Sequence, residues 1–78
     1  MSSISESPFI LDVLGERCPM PVQRIRKALK KLPQGSILQV LGDDPESLHD
    51  IPVLISRLGM SPATVKPIDS GWLFEIIV

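Results

Sequence analysis

Cys18 is the residue of this sequence that most readily supports covalent chemistry, because a cysteine thiolate is both a nucleophile and a metal ligand. It is the only cysteine, so the chain cannot form an internal disulfide or a multi-cysteine metal site. Any reaction of this thiol needs a second molecule. A single free cysteine also suits a reducing compartment, and we expect a cytoplasmic protein.

The position of Cys18 predicts how reactive its thiol is. The apolar residues Val22, Ile25 and Leu29 recur at helical spacing, and Pro19 fits a first helical turn, so a helix should begin at Cys18. Unpaired N–H groups and the helix dipole favour a thiolate there, and Arg17 and Arg24 would add to this effect. We therefore predict a lowered pKa. The alternative is that Cys18 is a small buried apolar residue, as free cysteines often are.

Other side chains that could take part in chemistry give weaker signals. A thiol hydrolase needs a base beside its cysteine, and the one histidine, His49, is predicted to be a solvated turn residue. A cluster of acidic residues could hold a cation, although turn formation and helix capping also explain it; its members are Asp43, Asp44, Glu46 and Asp50. No zinc pattern is present, and we expect neither a metal nor a resident cofactor.

The hydrophobic pattern predicts six elements in the order βαβαββ. Strands are expected at residues 9–14, 36–42, 62–68 and 72–78, and helices at 18–32 and 50–58. Right-handed crossovers place both helices on one face of a mixed four-stranded sheet, which is an α/β (α+β) two-layer sandwich. We expect residues 1–8 to be a flexible arm and residues 9–78 to form one domain.

The start of the second helix is ambiguous. Asp44 could cap it with Pro45 in the first position, but Pro52 would then lie in the helix interior and remove a backbone bond. Capping by Asp50 places Pro52 in the tolerant first turn, and we prefer this interpretation.

Composition excludes several classes of function. The 78 residues carry a net charge of −1, which argues against a domain that neutralises many phosphates, and we expect no DNA binding. The three aromatic residues fall on predicted strands, so the isolated domain is not expected to bind RNA. No apolar run reaches the roughly 20 residues that span a bilayer, and we expect no membrane contact. The basic helix face, which includes Arg26 and Lys27, is either solvated or a docking surface for an acidic partner.

A short motif adds a family resemblance to this interpretation. The string C-P-M-P at residues 18–21 resembles the C-P-x-P signature of the TusA/SirA-like sulfur-carrier family, and L-D-V-L-G at residues 11–15 precedes it as in that family. Further agreement occurs at residues 26–27, 33–35, 43–45 and 50–52. The resemblance runs from about Leu11 to the C-terminus. Met20 and Met60 depart from the best-known tRNA-thiolating members.

The resemblance implies a βαβαββ sandwich and a role for Cys18 as the sulfur-accepting residue. In such proteins the cysteine accepts a sulfur atom as a persulfide from a cysteine desulfurase and passes it to an acceptor protein, for tRNA 2-thiouridine synthesis or another route. The domain would be a sulfurtransferase-type carrier without turnover of its own. By the same resemblance Arg17, Pro19 and Pro21 support the loop, and Arg26, Lys27 and Asp44 contact partners.

Two other functions remain open at this stage. A non-catalytic interaction or regulatory module would use the apolar last strand and the basic helix face instead of the thiol. A thiol redox sensor is the other alternative, although the sequence lacks a second cysteine to resolve the oxidised form.

Overall fold

A computed structural model describes residues 8–78 as an α+β sandwich of two helices and a mixed four-stranded sheet. Its elements are β1 (Phe9–Asp12), α1 (Met20–Lys31), β2 (Ile37–Gly42), α2 (Ser47–Arg57), β3 (Thr64–Ile68) and β4 (Gly71–Ile77). The predicted fold class and element order are confirmed. The predicted arm falls almost entirely on residues 1–7, which lie outside the described residues.

The strand pairing brings the two helix starts together. The sheet order is β1-β2-β4-β3, with β1 parallel to β2 and the other pairs antiparallel. Since parallel strands end at the same edge of a sheet, the chain leaves β1 and β2 at one edge to enter α1 and α2. The loop that contains Cys18 therefore lies beside the loop that precedes α2.

One face of the sheet forms the core with both helices. Side chains at every second position of β2 and β4 are buried against them, and these strand residues are Leu38, Val40, Phe74 and Ile76. The helices contribute Ile25, Ile51, Leu54 and Ile55. The stripe predicted on α1 faces this core, with Ile25 buried and Val22 and Leu29 packed against it, whereas Leu58 at the end of α2 is 48% exposed.

Helix α2 begins earlier than we preferred from the sequence. Its N-cap is Glu46, so Pro52 lies inside the helix and the preferred start at Asp50 is wrong. Bonds around Asp44 compensate for the backbone bond that Pro52 cannot make: the Glu46 N–H donates to Asp44 Oδ1 at 3.1 Å, and the Ser47 N–H donates to the Asp44 carbonyl at 2.9 Å. The early start also places His49 and Asp50 on the first turns of the helix.

Candidate functional site

Cys18 is exposed in the loop that leads into α1. Pro19 is the N-cap residue of the helix and Pro21, near its start, is buried in the core. The Met20 N–H donates to the Arg17 carbonyl at 2.9 Å, which folds the loop into a turn around Cys18. The alternative that Cys18 is a buried apolar residue is therefore wrong.

Two adjacent aspartates tie this loop to the loop before α2. Asp44 Oδ2 accepts the Cys18 backbone N–H at 2.8 Å, while Asp43 Oδ1 accepts the Gly15 N–H at 3.0 Å. Asp44 is only 5% exposed, so its carboxylate has little surface to offer another protein. The structure gives Asp44 a positioning role in place of the partner contact that the resemblance implied.

The two arginines near Cys18 are engaged elsewhere. Arg17 Nη1 donates to Asp43 Oδ1 at 2.9 Å, and Arg24 Nη1 donates to Glu16 Oε2 at 2.7 Å. The bond to Arg17 acts with that from Gly15 to lower the pKa of Asp43. Each cation thus pairs with a carboxylate, and neither provides the support for a thiolate that the sequence predicted.

The thiol itself faces carboxylates. Cys18 Sγ donates to Asp50 Oδ2 at 3.0 Å. This hydrogen bond, partial desolvation and the negative charges of Asp50, Glu46 and Asp44 raise the pKa of Cys18 from 9.0 to about 11. The predicted lowering of the pKa is therefore wrong, because the neighbouring carboxylates favour the protonated thiol. The resting side chain is a protonated thiol.

Replacing Asp50 with asparagine should make Cys18 more reactive. The change removes the main cause of the raised pKa, so the pKa should fall part of the way from about 11 toward 9.0. A fall of about one unit increases the thiolate about tenfold, partly offset by weaker nucleophilicity, so alkylation at neutral pH should accelerate about threefold. The measurement is the rate of iodoacetamide modification as a function of pH.

Asp69→Asn is the matched control, because it removes the same charge from an exposed turn between β3 and β4. Its pH–rate profile should coincide with that of the original protein. A profile for Asp50→Asn with an unchanged midpoint would show that the carboxylate does not hold the thiol proton.

A groove between α1 and α2 opens at Cys18, with a volume of about 570 Å³. Arg26 and His49 line it, whereas Lys27 is exposed on α1 outside its lining. Our sequence analysis did not assign Arg57 or Val53 to the site, although both also line the groove. Their helical spacing from Asp50 would have placed Val53 and Arg57 on the same side of α2 as Asp50. It would not have placed that side of the helix beside Cys18.

Three donor atoms meet near the mouth of the groove. The Cys18 sulfur and carboxylate oxygens of Glu46 and Asp50 lie within 4.8 Å of one another, so these residues could approach a cation together.

Within residues 8–78, neither helix has the length and apolar character needed to cross a bilayer. The chemistry that this geometry best supports is that of an accessible thiol with an acidic neighbour.

Comparison with known proteins identifies similar chains. The family model described as Sulfurtransferase TusA matches residues 9–78. A protein of Archaeoglobus fulgidus named "Putative sulfur carrier protein" is 40% identical over 67 residues, which cover 86% of this chain and 87% of that protein. The crystal structure of a SirA-like protein from Desulfitobacterium hafniense superposes with a TM-score of 0.76 at 30% identity, over 90% of this chain and 95% of that one.

Proposed function

Because the chain belongs to the TusA sulfurtransferase family, we propose that Cys18 is the residue on which it carries sulfur. Cys18 would receive the sulfur from a cysteine desulfurase and pass it to an acceptor protein. The observation that supports this role most directly is the exposure of the only cysteine at a turn that the loop before α2 holds in place.

The transfer reaction needs no oxidant. The Cys18 sulfur attacks the outer sulfur of a donor persulfide, R–S–SH, and the S–S bond of the donor breaks. The electron pair stays on the donor cysteine, which takes up a proton as R–SH, while Cys18 gives up its proton and becomes Cys18–S–SH. Since the chain has no second cysteine, this persulfide cannot collapse into an internal disulfide.

The residues around the thiol have separate roles in this proposal. Pro19 and Pro21 shape the start of α1, and Arg17 anchors the loop through Asp43. Arg26 and Lys27 are exposed on α1 and are available to partners. A lone thiol that must remain reduced supports a cytoplasmic location.

Mass spectrometry tests sulfur loading directly. Incubation with a cysteine desulfurase, its pyridoxal cofactor and free cysteine should add the mass of one sulfur atom to the protein. Reductant should remove the addition, and Cys18→Ala should never acquire it because no other residue of the chain forms a persulfide. Failure to load with every desulfurase of the source organism would contradict the proposal.

The alternative of a non-catalytic interaction module predicts that the thiol of Cys18 is not needed for function. In that case Cys18→Ser would leave the cellular phenotype unchanged, whereas charge reversal at Arg26 and Lys27 would abolish it. If sulfur loading succeeds, the persulfidated protein can capture its acceptor, and the acceptor identifies the sulfur-containing product of the relay. One candidate for that product is tRNA 2-thiouridine. Met20, 48% exposed beside Cys18, is a position at which the choice of acceptor could differ from that of other members.

A further inference from the structure

The groove between α1 and α2 has opposite charges at its two ends. Both helices begin beside Cys18, where Glu46 and Asp50 form an acidic end. Arg57 is the last residue of α2, seven positions after Asp50, and lies about 10 Å farther along the helix. Arg26 lies six positions after Met20, the first residue of α1, and so about 9 Å along that helix; with Arg57 it forms a basic end of the groove that both line.

The middle of the groove is apolar. Val22 from α1 faces Val53 and Leu54 from α2 across it, and the last turn of α2 adds Leu58. Val22 and Val53 are only partly buried and Leu58 is 48% exposed, so part of this apolar surface remains in contact with water. A ligand that covers it would gain from apolar burial as well as from charge pairing.

We propose that this groove binds an extended segment of the sulfur-donating protein in one orientation. The segment would carry a cationic residue beside the donor cysteine and an acidic residue about three positions after that cation. The inference rests on the proposed function, because it assumes that the partner presents a sulfur to Cys18. An extended chain advances about 3.3 Å per residue, so three residues cover the roughly 10 Å between the two charged ends. Apolar residues between the charges would lie over Val22 and Val53.

This occupant follows from charge complementarity at both ends of the groove. A cation next to the donor sulfur would pair with Asp50, which accepts the hydrogen bond of the Cys18 thiol, and with Glu46, whose negative charge lies beside it. Pairing would weaken their effect on the thiol and favour the thiolate at the moment when the donor sulfur is in place. The thiol would thus remain protonated in the free carrier and become nucleophilic in the complex.

Two peptides of equal composition test the inference without a desulfurase. One is acetyl-Lys-Cys-Leu-Glu-amide, whose charges are three positions apart, and the other has Lys and Glu exchanged, each with its cysteine activated as a mixed disulfide with 2-thiopyridine. The Cys18 sulfur attacks the peptide sulfur, the S–S bond breaks, and 2-thiopyridine leaves with the electron pair and takes up a proton. Release of 2-thiopyridine gives the rate constant for each peptide.

The peptide with Lys before Cys should react about tenfold faster, and added salt should reduce the difference. The ratio of the two rate constants cancels the intrinsic reactivity of the thiol. It should fall toward one both in Glu46→Gln/Asp50→Asn and in Arg26→Gln/Arg57→Gln, which alter opposite ends of the groove. Asp69→Asn should leave the ratio unchanged.

A ratio near one in the original protein, or a higher rate for the exchanged peptide, would overturn the inference. A tenfold ratio that survives both double substitutions would also overturn it, because the preference would then arise elsewhere. Sulfur loading by a desulfurase is a separate measurement. Loading without the peptide preference would therefore reject only the oriented groove, and the absence of loading would reject the sulfur-carrier function.

Discussion

Gly71→Ala is expected to destabilise the protein by roughly 3–5 kcal/mol, as the sum of backbone strain and a steric clash. Gly71 opens β4 with a φ of +152°, and a Cβ atom placed on it would clash with the Gly42 carbonyl oxygen and lie 2.9 Å from Asp43 Cα. Backbone atoms cannot move aside as the end of a side chain can. Urea unfolding followed by circular dichroism measures the loss.

Gly59→Ala is the matched comparison for this prediction. Gly59 has a φ of +73°, and nothing lies within 4 Å of the Cβ atom that alanine would add. Its substitution should therefore cost only the strain of the left-handed conformation, about 1 kcal/mol. Equal losses for the two variants would show that the approach of Gly71 to Gly42 is not a constraint on the fold.

Asp44→Ala is the second large effect that we expect, with a loss of about 2–4 kcal/mol in the free energy of unfolding. The Asp44 carboxylate accepts the backbone N–H groups of both Cys18 and Glu46, and bonds to a charged group contribute more than neutral ones. Asp44→Asn should lose less, because its amide oxygen can still accept one of the two bonds. Urea unfolding should rank Asp44→Ala below Asp44→Asn in stability.

The same substitution should loosen the loop that presents the thiol. Hydrogen exchange at the Cys18 region should accelerate in Asp44→Ala and change less in Asp44→Asn. Asp69→Ala, in an exposed turn, is the control for removing a carboxylate. If Asp44→Ala were as stable as this control, the bonds of Asp44 would not hold the two loops together.

Both predictions concern one junction of the fold. Gly71 approaches the β2 end of the loop at Gly42 and Asp43, while Asp43 and Asp44 bind the loop that carries Cys18. Close packing of β4 against this segment therefore helps to position the aspartates. The backbone of Cys18 is thus held by the Asp44 carboxylate and its sulfur by the Asp50 carboxylate, although the side chain is exposed.

The sequence by itself determined the order of the elements, the fold class and the cysteine that the site is built around. Helical spacing from Val22 to Leu29 predicted α1 because residues three and four apart share a face of a helix. The proline at each side of Met20 indicated a helix start, and the lone cysteine beside it indicated an accessible thiol. These inferences depend on residues that are close together in the chain, and local spacing is sufficient for them.

The tertiary structure alone decided the protonation of that thiol, the start of α2 and the groove. Asp50 and Cys18 are 32 positions apart in the chain. Only the parallel pairing of β1 with β2 brings Asp50 Oδ2 to 3.0 Å from Cys18 Sγ. Once there, the carboxylate raises the pKa of Cys18, the opposite of the direction that the position at a helix start predicted. Coulomb interactions and hydrogen bonds depend on distance in space, which the local pattern of a sequence does not specify.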